Sequence, residues 1–351
     1  MIELIKRLRR EHTLAPDEFC TLLTGCTPEM LEDICGEARE VAQESFGNRI
    51  YIRGLIEIGN GCRNDCYYCG IRRSNRLVKR YRLDNDTVLE CCRKGYALGF
   101  RTFVLQGGEE SEAADEAMAE LIKRIREEFA DAAITLSLGE KPAESYERFF
   151  RAGANRYLLR HETHNPEHYR TLHPQSMSLA HRLRCLDDLK RIGFQTGTGI
   201  MVGSPGQTVN HLIEDILFIE KFRPEMIGIG PFIPHCDTPF AASPPGRLEQ
   251  TLLMLSIFRL MHPHALIPST TALATLSPKG RERGILAGAN VVMPNLSPAE
   301  ERSKYALYNN KASMGAESAE GLRQLNRQLK SIGYEVDYGR GDHPSRTKRT
   351  L

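Results

Sequence analysis

Cysteines 62, 66 and 69 stand in the stretch Gly-Asn-Gly-Cys-Arg-Asn-Asp-Cys-Tyr-Tyr-Cys-Gly at 59–70. A tetrahedral ion, or a cluster held wholly by protein, takes four ligands, and no fourth cysteine follows at a matching interval. Three thiolates on one short loop can instead hold three corners of a [4Fe–4S] cube and leave one iron open to a chelating small molecule. A zinc site completed by a distant histidine, or simply reduced loop thiols, are the alternatives these residues leave open.

Such a loop needs a rigid rim beneath it. Apolar β-type runs at 51–58, 102–106, 133–138, 156–161, 195–202, 226–232, 265–268 and 289–293 supply candidates. They alternate with helical patterns near 84–98, 113–129, 142–152, 178–192, 207–222, 247–261 and 278–287. Alternation of this kind predicts repeated βα units and a parallel sheet. Eight strands with seven helices predict an α/β fold, a closed (β/α)8 barrel of the TIM type, with an open six-stranded partial barrel as the alternative. Helices ending at Gly99, Gly153, Gly193 and Gly288 agree, since glycine tolerates the left-handed turn that closes a helix. Residues 1–47 read as an N-terminal extension of two or three helices, 48–300 as the barrel, and 301–351 as a C-terminal helix and tail on the same domain. Within the last part, 317–332 is helical and 294–316 and 336–351 are irregular.

In such barrels chemistry sits at the C-terminal ends of the strands, and the cysteine loop begins just after the first strand. The second strand enters Gln106-Gly107-Gly108-Glu109, bare backbone that either admits a ligand or makes a tight turn. Ser137 ends the third. On the fourth, Arg160 and Glu162 share one face by the two-residue period, and Leu159 and His161 take the other. Burying either charge alone costs several kcal/mol, so the pair meets a charged ligand or each other. His161 reads as a hydrogen-bonded packing residue. Met201 leads into Gly203 and Gly206, and Arg182 lies early in the helix after strand four, turned to the rim or to solvent. The loops after strands six and seven carry His235, Asp237, Thr270 and Thr271, a lining suited to a small polar or anionic substrate.

The Cys-x3-Cys-x2-Cys spacing, Tyr68 before its last cysteine and the Gly107-Gly108-Glu109 segment resemble the signature of the radical S-adenosylmethionine (SAM) superfamily. Segments 135–140, 157–163, 203–208, 228–239 and 288–295, in that order, resemble its [FeFe]-hydrogenase maturase E (HydE) branch, near methylornithine synthase and more distantly biotin synthase. The resemblance implies that Cys62, Cys66 and Cys69 ligate a [4Fe–4S] cluster. It implies that Tyr68, Gln106, Gly107, Ser137, Glu162, Arg182 and Met201 contact SAM, and that Arg160, Thr270 and Thr271 face the substrate. The implied activity is reductive cleavage of SAM, directed in HydE at a cysteine-bound iron carbonyl cyanide during H-cluster assembly. An electron donor and transient contacts with other maturases are implied with it. An amino-acid mutase of the methylornithine synthase kind is the alternative, and a non-catalytic iron–sulfur carrier, which needs no SAM pocket, is a third reading. Many members of the branch hold a second cluster on C-terminal cysteines; here none follows Cys236, so no such cluster is expected.

The remaining composition is compatible with this. A chain of 351 residues, 41% hydrophobic, can bury one large core, and a net charge of +2 gives no nucleic-acid surface. Ten cysteines behind a charged, amphipathic start, with no apolar leader, fit a reducing cytoplasm. No run is long enough to span a bilayer, so no membrane is expected. Cys91, Cys92 and Cys185 lie in helical patterns and read as packing residues, and no role is assigned to Cys236.

Overall fold

The computed structural model describes residues 2–347. Its strands are β1 (Arg49–Ile52), β2 (Gly54–Gly59), β3 (Thr102–Gly107), β4 (Ala133–Ser137), β5 (Arg156–Leu158), β6 (Gln195–Thr198), β7 (Met201–Val202), β8 (Met226–Ile227), β9 (Gly230–Pro231), β10 (Val291–Val292) and β11 (Glu335–Asp337). The order β2-β3-β4-β5-β6-β8 is parallel throughout, and β7 and β9 continue the fifth and sixth positions toward the mouth. Parallel bridges Met226↔Leu266 and Pro268↔Val291, with β10 on β1 and Leu55↔Asn295, carry the ring round to its start. The sheet is therefore a closed barrel of eight positions. The seventh is reduced to bridges, since Pro268 has no N–H to give a ladder.

The helices follow the expected places. Asp84 and Ser178 cap Asn85–Ala97 and Leu179–Ile192 with side-chain oxygens. Gly153 and Gly193 close theirs at φ near 115° and 111°, where a side chain would be strained. One apolar layer packs Phe103, Leu105, Ile134, Leu136 and Tyr157 of the barrel against Ile122, Ile125, Phe149, Leu186 and Leu189 of the outer helices. The N-terminal helices Ile2–Glu11, Pro16–Gly25 and Pro28–Phe46 lie outside the barrel, against Val209–Phe222 and Leu248–Met261. This cover explains why Leu248–Met261 is apolar on nearly every side. No helix among the described residues is long and apolar enough to cross a membrane.

Four details differ from expectation. The fourth strand stops at Leu158 rather than 161 and resumes as one bridge, Glu162↔Ile200, because Glu162 takes φ near 66° and breaks the pleat. Short helices Pro166–Leu172 and Thr271–Leu276 occupy segments read as loops. The last long helix is Leu322–Ser331, its expected first turns being tight 3-10 turns at 315–317 and 319–321. The stretch read as an irregular tail begins with β11, which adds to β1 in parallel. From it the chain crosses the bottom of the barrel: Arg340 and Gly341 present carbonyls, and Asp342 a carboxylate, to side chains of the first strand residues.

Candidate active site at the barrel mouth

The cysteine loop is held from beneath by one side chain. Arg80 donates to the carbonyls of Asn60 (2.5 Å), Ile71 (2.8 Å), Arg72 (2.6 Å) and Asn75 (3.1 Å), so its guanidinium fixes the loop at both ends. Arg72 in turn forms a bidentate pair with Asp65 at 2.7 Å. Gly108 lies so close that an added Cβ would run into the Gly61 carbonyl and the Cys62 side chain. Gly108, just after β3, thus serves close packing of strand end against loop, whatever else it does.

Burial raises all three thiols. Cys62 is lifted by burial, against N–H groups of Asn64 and Glu109 that favour its thiolate. Cys69 is pushed up to about 12 by burial and by Cys62, and Cys66 is driven well above the ordinary thiol range by burial and by Cys69. Buried, mutually repelling thiols stay protonated until a strong cation replaces their protons, which is the behaviour of a metal-ligand set. Among the described residues the three sulfurs do not form a group gathered within 4.8 Å, as ligands of a single ion would.

From Cys69 a cavity of about 210 Å³ opens into the barrel, lined by Tyr68, Gln106, Arg160, Glu162, Met201, Thr270 and Thr271 among others. Eight of the residues singled out in the sequence therefore share one space. Arg160 donates through Nη2 to Glu162 Oε2 and to the Ile200 carbonyl, both at 2.8 Å, while its Nε, though buried, has no partner among the described residues. Thr270 Oγ1 is likewise buried and unpartnered, whereas Thr271 donates to Glu317 at 3.0 Å. Tyr68 OH meets His173 Nε2 at 3.2 Å. His161 packs behind the site with Nδ1 on Thr198 Oγ1 at 2.8 Å, and burial pushes it down to about 3.

Five predicted residues stand apart from the cavity wall. Cys62 and Cys66 lie farther along the loop, and Gly107 faces a separate small hollow. Arg182 is buried, not solvent-exposed. It grips Glu140 at 2.5 Å and the Arg160 carbonyl at 3.0 Å. Ser137 ends β4 beside Gln106 of β3 in register.

A family model described as the radical SAM superfamily matches residues 56–219. The chain is 45% identical over 274 residues, 78% of its own length and 78% of the relative's, to the [FeFe] hydrogenase maturase subunit HydE of Thermotoga maritima. It belongs to the radical SAM superfamily, in the HydE branch. A further relative, the 3-methylornithine synthase of Methanosarcina barkeri, is 27% identical over 92% of this chain and 88% of its own. The crystal structure of methylornithine synthase superposes with a TM-score of 0.83, at 25% identity, covering 95% of this chain and 97% of that one.

A radical SAM enzyme carries a [4Fe–4S] cluster and SAM, and the residues here fit both groups. The loop presents three separated thiols, and the adjoining cavity offers Glu162, Gln106 and the Tyr68 ring beside Cys69. Around this radical SAM site runs a set of charges, buried apart from Arg63, whose pairing the sequence did not reveal. Arg63 binds Glu109 (2.8 Å), Glu109 accepts from the Glu140 N–H (2.7 Å), and Glu140 holds Arg182. The chain of contacts links cysteine loop, β3 end, β4 end and strand-five end. Glu57, Leu307, Tyr308 and Lys311 of the cavity wall were missed as well. Glu57 alone left a signal, as an acid within the apolar run 51–58.

Proposed function

We propose that this radical SAM enzyme is a HydE-type maturase acting on a small anionic iron complex, a cysteine-bound iron carbonyl cyanide, in assembly of the [FeFe]-hydrogenase H-cluster. The observation that carries the reading is the cavity beside Cys69, where Arg160 Nε and Thr270 Oγ1 stand buried with no acceptor among the described residues. Unpaired buried donors of this kind cost stability unless a ligand completes them. The identity to the Thermotoga maritima maturase supports it.

Cys62, Cys66 and Cys69 would hold the cluster, and Tyr68, Gln106, Glu162 and Met201 would position SAM in the adjoining cavity. Ser137 and the Gly107 backbone would reach SAM from the neighbouring strand ends, outside the cavity wall itself. Arg182 would act from behind, fixing the Arg160 carbonyl and Glu140. When bound, cluster and SAM together supply a carbon-centred radical by reductive cleavage of the sulfonium. The chain's own part is to orient the substrate on Arg160, Thr270 and Thr271 and to exclude water with the cavity walls. The electron donor and a second maturase that delivers the complex are the partners this reading requires.

The likeness to 3-methylornithine synthase supports a second reading, a mutase acting on an amino acid. Anaerobic 5′-deoxyadenosine formation by reduced, cluster-loaded protein with SAM separates the two. Formation with the iron complex and not with lysine is the expected result; the reverse would establish the mutase.

A further inference from the structure

One wall of the cavity comes from a part of the chain far from the cysteine loop. Residues 303–314 cross the mouth without regular structure and are tied down along their length. Gly70 N–H donates to the Leu307 carbonyl (2.9 Å), Asn309 N–H to the Pro234 carbonyl (3.0 Å), and Ala312 N–H to Thr275 Oγ1 (3.1 Å). From this segment Lys311 reaches down to Glu57 of β2, whose other oxygen accepts from Asn295 Nδ2 at 2.8 Å. Glu57 has no exposure at all, yet sits in an otherwise apolar strand.

A buried ion pair is an inefficient way to pin a segment, because desolvation cancels much of its attraction and an apolar pair would seal the mouth as well. The position of Lys311 offers another reason for its charge. Its ammonium has three N–H donors, and Glu57 is the side chain it pairs with. It lines the cavity together with Arg160 and Tyr308. The cavity thus holds two cations, Arg160 and Lys311, each partly neutralised by a carboxylate, Glu162 and Glu57. Arg160 Nε is a buried donor with no partner among the described residues, and Glu57 Oε1 takes one donor of the Lys311 ammonium.

We infer that Lys311 is a substrate-recognising residue: its ammonium and the Arg160 guanidinium take two acceptor groups of an anionic substrate, and Glu57 competes with that substrate for Lys311. The inference rests on the maturase reading above and adds to it the residue that sets charge selectivity. Glu57 holds the ammonium in place before substrate arrives and yields part of it afterwards. The two members of the ion pair therefore affect affinity in opposite directions. A pair that served only to hold the segment would affect it in the same direction.

The test is anaerobic equilibrium binding to cluster-loaded protein with SAM, using the cysteine-bound iron dicarbonyl cyanide complex and, separately, L-lysine. Lys311→Met is expected to weaken binding of the iron complex about tenfold or more, and Lys311→Arg to restore it to within about threefold. Glu57→Gln, which removes the same ion pair but keeps the ammonium, is expected to tighten binding severalfold. Weakening by both Lys311→Met and Glu57→Gln would overturn the inference in favour of a purely structural latch. Wild-type affinity in Lys311→Met would overturn it too, leaving the maturase reading intact. Binding of lysine and not of the iron complex by the wild type would overturn the maturase reading and the inference with it.

Discussion

Two arginines four residues apart on the same strand position mark the two ends of the barrel. Arg156, at the bottom, is fully buried and enclosed by the chain itself: Asp342 at 2.6 Å, the Arg340 carbonyl at 2.7 Å and Thr102 Oγ1 at 3.1 Å. Gln195 completes the cage by donating to Asp342 at 2.7 Å. Arg160, toward the mouth, pairs with Glu162 and one carbonyl, and its side chain keeps 30% exposure in an open cavity. The Nε of each arginine lacks a partner among the described residues, so orphan atoms do not separate the two ends. What separates them is what fills the space. Protein occupies the bottom, and the top is left for a ligand. The same fold thus uses one end for stability and the other for chemistry.

The comparison can be broken most decisively at the mouth. Cys66→Ser is expected to abolish iron retention and SAM cleavage while the melting temperature of the metal-free protein stays close to wild type. Iron analysis and calorimetry on the same samples check both halves. Arg156→Met should follow in size. It removes the buried cation from the half-buried Asp342, which keeps only Arg340 as a cation, at 2.8 Å, at a cost of about 3 kcal/mol in urea unfolding, the low end for a broken buried pair. Arg160→Met should cost less than half as much, since its pair lies open to the cavity. Equal costs would erase the distinction between the ends.

Acid sharpens the same contrast more gently. Burial alone would raise the Asp342 carboxyl, but Arg156, Gln195 and Arg340 outweigh it and hold it well below the usual carboxylate range. A carboxyl depressed in the folded state adds stability above its unfolded value of about 4 and loses it as pH falls through the folded value. The stability gap between wild type and Asp342→Asn should therefore be full at neutral pH and narrow below about pH 4, as followed by urea unfolding across pH. The smallest effect is expected outside both ends. Arg93→Ala removes an exposed pair with Glu128 on the outer helices and should leave melting temperature and SAM cleavage unchanged within error.

Much of this molecule is legible locally. The cysteine loop, the helix-closing glycines and the alternation of strand and helix depend on residues adjacent in sequence, and they appear where those residues stand. The pairing of Arg160 with Glu162 is one of the two outcomes the sequence leaves open, read there from a period the backbone does not keep. The pleat ends at Leu158, and the left-handed turn at Glu162, bridged to Ile200, is what brings the two side chains together. Arg182 shows the converse: its helical position left rim and solvent both open, and Glu140 beyond a neighbouring strand end is what buries it.

The sequence by itself determined the three-cysteine loop, the eightfold βα rhythm and the rim on which the loop had to lie, because spacing and periodicity are short-range properties. Only the tertiary structure decided how each end of the barrel is closed. Lys311 meets Glu57 across 254 residues, and Arg156 meets Asp342 across 186. No local pattern encodes either meeting. Each arises when the ring closes and low-dielectric burial obliges an isolated charge to find its opposite.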